Sequence, residues 1–385
     1  MENYNFLLAV AIIILSTKFM GGLSEKVNMP QVVGALVAGV ILGPSVLGIV
    51  ESTNFLAETA EIGVILLMFM AGLDTDINEI KKNSVSMLCI ALAGVILPLI
   101  GGAACYYFYF DVDASNFNEV LQCIFMGVIL TATSVSITVE ALREMGKLNG
   151  PVGSAILGAA VLDDIIGIII LTVVTSLKDS SVSIISILIK IGLYVILMGV
   201  LAVVFKAARP TVDDVKDRRR VAIYVMSLML LIAFISEHYF GIADITGAYM
   251  LGLLLSTYEI RGYIAKKMAV PSYLFFSPIF FASIGIKTEL SGMTVSLLIF
   301  SVILLIVAIL TKTVGCGLGA RLTGFNSSDA LHIGIGMISR GEVALIVAQK
   351  GYNMGLVSGK LFSPIVLVVI VTTIITPVLL KKFMK

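Results

Sequence analysis

The chain has 385 residues, 58% of them hydrophobic and 13% charged, with a mean hydropathy of +1.06. That composition excludes an ordinary soluble domain, and a net charge of +1 gives no electrostatic footprint for nucleic acid. Trp is absent, so an interfacial belt must be built from Tyr and Phe.

Thirteen apolar segments are predicted, at 5–23, 30–49, 56–73, 83–109, 119–142, 151–177, 182–206, 220–239, 241–258, 269–286, 292–318, 328–350 and 362–380. Most approach the roughly 20 residues that span a bilayer, which predicts an all-α membrane protein. The first segment has neither a basic leader nor a cleavage site and reads as a retained helix. The longest connection, ARPTVDDVKDRRR at 207–219, is polar, and no regulatory domain is expected after Lys385. Cys89, Cys105, Cys123 and Cys316 fall in apolar runs without paired spacing and read as buried free thiols.

Of the 26 Lys and Arg, eighteen lie in loops after odd-numbered segments or in the C-terminal tail, and four in loops after even-numbered ones. The positive-inside rule then sets the N-terminus outside and the C-terminus in the cytoplasm. The remaining four, Lys18, Lys190, Lys312 and Arg340, lie inside segments. Lys18 and Lys190 are near enough to helix ends to snorkel; Lys312 and Arg340 are deeper and need partners.

Segment six, PVGSAILGAAVLDDIIGIIILTVVTSL, carries Asp163 and Asp164 side by side at its midpoint. A carboxylate there costs roughly 2.5–3.5 kcal/mol on insertion scales. The pair reads either as a structural ion pair between helices or as a cation and proton site. Segment five has Thr131, Thr133, Ser134, Ser136 and Thr138 in mid-run, and segment twelve has Gly334, Gly336, Ser339, Arg340, Gly341 and Glu342. Either cluster alone reads as helix packing. Together they mark corresponding interruptions, the fifth member of each of two six-segment halves in opposite orientation with segment seven as the link, a pattern that points to a transporter site at the midplane.

Unwinding frees backbone carbonyls that need partners, and hydroxyls of Thr133 and Ser134 can join them in offering oxygen to a hard cation. Adjacent helical residues diverge by about 100°, so one Asp can meet Lys312 while the other faces water. Arg340 and Glu342 read as mainly structural. Glu61, Glu140, Glu237 and Asp244 lie towards helix ends and read as wetted, with lining of an outer access route as the alternative for Glu61 and Asp244.

The combination TATSVSIT (131–138), LDD (162–164), TKTVG (311–315), GMISRGEVALIVA (336–348) and GAYMLGL (247–253) resembles the bacterial Na+/H+ antiporters of the monovalent cation:proton antiporter-2 family, NapA type. The resemblance spans essentially the whole chain. It implies thirteen helices in two inverted repeats with crossed broken helices, the NhaA/NapA-like antiporter fold. It also implies a homodimer in the bacterial cytoplasmic membrane, with a dimerisation domain at 1–80 and 208–290, a core transport domain at 81–180 and 291–385, and a linker helix at 181–207. It assigns Asp164 to ion binding, Asp163 and Lys312 to proton coupling, Thr133 and Ser134 to the crossover, and Arg340 with Glu342 to support. The expected function is exchange of Na+ or Li+ for H+, with no cofactor and no enzymatic activity. A K+/H+ exchanger or organic-anion symporter on the same scaffold, a channel, and an intramembrane aspartyl protease are the competing readings. The last places its two aspartates on different helices, one of them in a Gly-x-Gly-Asp motif that this chain lacks.

Overall fold

A computed structural model describes residues 5–27, 29–178, 184–213, 217–287 and 293–384. Positions 182, 183 and 292 of the expected segments, Lys216, Lys385 and the side chain of Glu342 lie outside the described residues.

Regular structure among these residues is helical. The helices are α1 Asn5–Lys26, α2 Gln31–Leu42, α3 Asn54–Asp74, α4 Ile77–Lys82, α5 Ser84–Tyr109, α6 Phe117–Thr131, α7 Val135–Glu144, α8 Pro151–Lys178 and α9 Ile184–Asp213. They continue with α10 Arg218–Phe240, α11 Asp244–Leu255, α12 Arg261–Pro271, α13 Ser277–Ile286, α14 Val295–Leu322, α15 Ser327–Gly336, α16 Glu342–Asn353 and α17 Phe362–Phe383. Polar caps start several of them: Thr53 accepts from Leu56 N–H, Asn116 from Asn118, Thr294 from Leu297 and Asn326 from Asp329.

Among the described residues, ten stretches are long and apolar enough to cross a membrane, counting α6–α7 and α12–α13 as one each. The protein is an all-helical membrane protein. Some expected segments are shorter than they read. Helix α2 stops at Leu42 because Gly43-Pro44 follows, and a residue before proline is disfavoured in helix. At 12 residues, α2 and α11 are each about 18 Å long against about 30 Å of hydrocarbon. Segment twelve is two short helices, α15 and α16, with residues 337–341 unwound between them. Segment ten is longer than expected: it begins at Arg261 and continues past Pro271 into a π-helical turn, Ser272–Phe276, before α13.

Two groups of helices pack side to side. One contains α5, α6, α8, α14, α15 and α17; the other contains α1, α2, α3, α11 and α13. Helix α9 touches α8 and α10 and is largely exposed along its length. Close backbone approach in each group depends on glycine. A Cβ on Gly315 of α14 would sit 2.5 Å from the Ala93 carbonyl of α5, and one on Gly39 of α2 would sit 2.1 Å from that of Ala282.

Candidate functional site

Helix α6 ends at Thr131, and residues 132–134 are extended before α7 begins at Val135. Residues 337–341 interrupt α15 and α16 in the same way. The two interruptions touch. The Ser134 amide donates to the Ser339 carbonyl at 2.8 Å, and the Thr138 hydroxyl donates to the Gly336 carbonyl at 2.6 Å. A side chain on Gly341 would sit 2.6 Å from the Ser134 hydroxyl, so the crossing requires glycine there.

Breaking a helix in apolar surroundings leaves its last carbonyls negative and without intrahelical partners. At each break a buried cation meets them. Lys312 of α14, fully buried, donates to the Thr131 carbonyl at 3.0 Å and to Asp163 Oδ1 at 2.8 Å. Arg340, also fully buried, points Nη1 at the Met337 carbonyl at 3.5 Å. Its Nε and Nη2 have no hydrogen-bond partner among the described residues. Helix α17 holds the main chain of Arg340 on both sides: its amide donates to the Thr372 hydroxyl at 3.3 Å, and the Thr373 hydroxyl shares its one proton between the Arg340 carbonyl at 2.5 Å and the Val369 carbonyl at 2.7 Å.

The Asp163 side chain is 1% exposed and that of Lys312 is 0% exposed, so the ion pair is dry. Removing one partner of such a pair typically costs about 3–5 kcal/mol. Asp164 is half-buried and points elsewhere around α8. Both aspartates line a cavity of about 70 Å³ with Thr131, Ala132 and Gly167, room for a few water molecules. Its walls are otherwise apolar, from Val128, Ile168, Leu171, Val343 and Val347. It reaches Ala243, whose neighbour Asp244 lines a larger cavity of about 390 Å³ with Glu58, Glu61, Glu237 and His238.

The sequence-predicted residues are therefore partly assembled. Asp163, Asp164 and Lys312 come together at the end of α6. Thr133 and Ser134 are buried beside them, but their hydroxyls are directed at the Thr131 carbonyl, 3.4 Å, and Ser136, 3.4 Å, and the cavity is walled by Thr131 and Ala132 instead. The Lys18 Nζ lies 3.2 Å above the centre of the exposed Tyr273 ring, a cation–π contact. Lys190 is exposed on α9. Thr372 and Thr373 escaped notice; their signal was a hydroxyl cluster, VTTIIT, in the last apolar run.

Residues 11–385 match the family model described as sodium/hydrogen exchanger, transmembrane. The chain belongs to the sodium/hydrogen exchanger family. Its relatives include the Na(+)/H(+)-K(+) antiporter GerN of Bacillus cereus, 40% identical over 98% of this chain and 96% of the relative. The Na(+)/H(+) antiporter of Enterococcus hirae is 36% identical over 99% and 98%. The sodium proton antiporter MjNhaP1 of Methanocaldococcus jannaschii superposes with a TM-score of 0.78 over 100% of this chain and 97% of that one. At 18% identity that likeness speaks to the fold alone. Membership of the exchanger family makes the chain a transporter and not an enzyme, which removes the protease reading.

Proposed function

We propose that the protein exchanges Na+ or Li+ for H+ by alternating access, with Asp164, Asp163 and Lys312 as the coupling site. The observation that carries this reading is the dry Asp163–Lys312 pair beside a cavity that also receives Asp164. A cation entering the cavity displaces the proton of Asp164, which leaves to water, and binds the carboxylate. It draws Asp163 away from Lys312, and the amine, left without its carboxylate in a low-dielectric site, gives its proton to water. On the return leg Asp164 takes one proton and Lys312 another, and the ion pair reforms. The cation-loaded site carries one negative charge and the proton-loaded site none, so two protons move per cation and the exchange is electrogenic.

The same reading takes the chain as a NapA-type member of the monovalent cation:proton antiporter-2 family. Its thirteen crossings form two inverted repeats, of which α2, α11 and the α15–α16 pair supply the three crossings beyond the ten long spans. The core domain is the group around α5, α6, α8, α14, α15 and α17, which moves against a dimerising scaffold. Thr133 and Ser134 offer ligands when the breaks rearrange. The homodimer sits in the bacterial cytoplasmic membrane with its N-terminus outside. A second reading, K+/H+ exchange at the same site, is favoured by the name of the Bacillus cereus relative, which includes K+. Purified protein in liposomes at clamped potential, challenged with Li+, Na+ and K+ while internal pH is followed, separates the two. Asp164→Asn should abolish exchange with every cation; retained cation-driven proton movement refutes the role given to Asp164.

A further inference from the structure

Helix α8 contains Gly153, Gly158 and Gly167. The first two are packed against neighbours: a Cβ on Gly153 would sit 2.1 Å from the Leu148 carbonyl, and one on Gly158 2.2 Å from Met87 Sδ, so that the Met87 side chain would have to move. Gly167 differs. A Cβ there would meet nothing within 4 Å, and its backbone is ordinary helix. Glycine in a helix interior is destabilising by roughly 0.5–1 kcal/mol relative to alanine. Packing does not explain this one. It stands three residues after Asp164, on the same helix face, and lines the same cavity.

Few side-chain oxygens line that cavity: they are the two carboxylates and the Thr131 hydroxyl, which donates to the Val128 carbonyl at 2.8 Å, while the Thr131 carbonyl already holds Lys312. A hard monovalent cation at Asp164 therefore keeps part of its own water, and that water needs space. We propose that Gly167 provides it: the missing side chain leaves room beside Asp164 for the water that completes the cation's shell, which makes Gly167 a determinant of cation selectivity. The proposal rests on the antiporter reading above and adds how the site completes its coordination.

Filling the space strips water from the ion. The penalty follows how firmly the cation holds that water, which is greatest for the smallest ion, so the order is Li+, then Na+, then K+. The experiment is cation-driven proton exchange by the full chain in liposomes with LiCl, NaCl and KCl, comparing wild type, Gly167→Ala and Gly167→Ser. In Gly167→Ala the Li+ KM should rise about tenfold, as for a loss of that order in binding, and the Na+ KM less, so that the ratio of the Li+ KM to the Na+ KM rises, with K+ least affected. Gly167→Ser places an oxygen where the water was and should shift the ratio less. Both variants should melt at or above the wild-type temperature, since the space is open. An unchanged ratio in a folded Gly167→Ala protein overturns the proposal. So does a larger penalty for K+, which would mean that the bare ion's size matters, and so does an equal shift in Ala and Ser. If wild type itself exchanges none of the three cations, the antiporter reading fails and this proposal with it; wild-type exchange with unaltered variant ratios removes this proposal alone.

Discussion

The amide of Ser134 donates to the carbonyl of Ser339 at 2.8 Å, joining two interrupted helices that lie some two hundred residues apart in the chain. An unwound backbone in an apolar interior is tolerated only where every freed group finds a partner. Here each interruption supplies part of the other's satisfaction, through this bond and through Thr138 to Gly336.

The first prediction follows from that bond. Ser134→Pro deletes the donor, whereas Ser134→Ala keeps it and removes only a hydroxyl. The buried Ser339 carbonyl left behind costs about 1–3 kcal/mol. Ser134→Pro should therefore lower the melting temperature clearly more than Ser134→Ala. Equal melting of the two would show that the crossing bond contributes nothing.

Lys312 has two acceptors, Asp163 and the Thr131 carbonyl. Lys312→Ala strands a buried carboxylate and should destabilise by about 3–5 kcal/mol. Combining Lys312→Met with Asp163→Asn removes both charges at once. The double variant should be more stable than Lys312→Ala, and a double-mutant cycle in denaturant should give a coupling of about 0.5–3 kcal/mol. Additive effects would mean that the pair is not energetically joined.

Much of this was legible before any coordinates. The apolar segments, the two polar interruptions, the paired aspartates and the isolated lysine all stand out because charge and hydroxyls are expensive in oil. What stayed hidden depends on register between helices. The turn at Gly43-Pro44 is a local signal, masked by the apolar run that continues to Ile49. That Thr373 reaches Arg340, or that Lys18 finds Tyr273, depends on which faces of separate helices meet, and a single-segment pattern carries no such information.

Thr373 gives the third prediction. Its hydroxyl donates to the carbonyl of Arg340, beside the unwound strand. Thr373→Val has nearly the same shape and leaves that carbonyl unsatisfied, at about 1–3 kcal/mol. Thr373→Ser retains the donor. Melting and exchange activity should fall in the valine variant and recover in the serine variant. Equal behaviour of the two would remove the hydroxyl from the account.

The last prediction concerns Glu144, at the end of α7. Helix α2 follows Pro30 and has no side-chain cap of its own. Its first amides, Gln31 and Val32, donate instead to Glu144 at 2.6 and 3.1 Å. A carboxylate at a helix N-terminus is favourable for both hydrogen bonding and the dipole. The neighbouring Arg143 lies 3.7 Å from Asp74 at the end of α3 and 3.0 Å from Glu140. The broken helix α6–α7, whose α6 half belongs to the first packing group, is thus fastened at its tip to α2 and α3 of the second. If the two groups slide during transport, this fastening has to open. Losing a cap is worth about 1 kcal/mol, which shifts a two-state ratio about fivefold. Glu144→Ala should therefore raise hydrogen–deuterium exchange in residues 29–36 about fivefold, and Glu144→Gln, which keeps an acceptor without the charge, should raise it less. Unchanged protection of that segment in Glu144→Ala would mean that α2 is capped by something else.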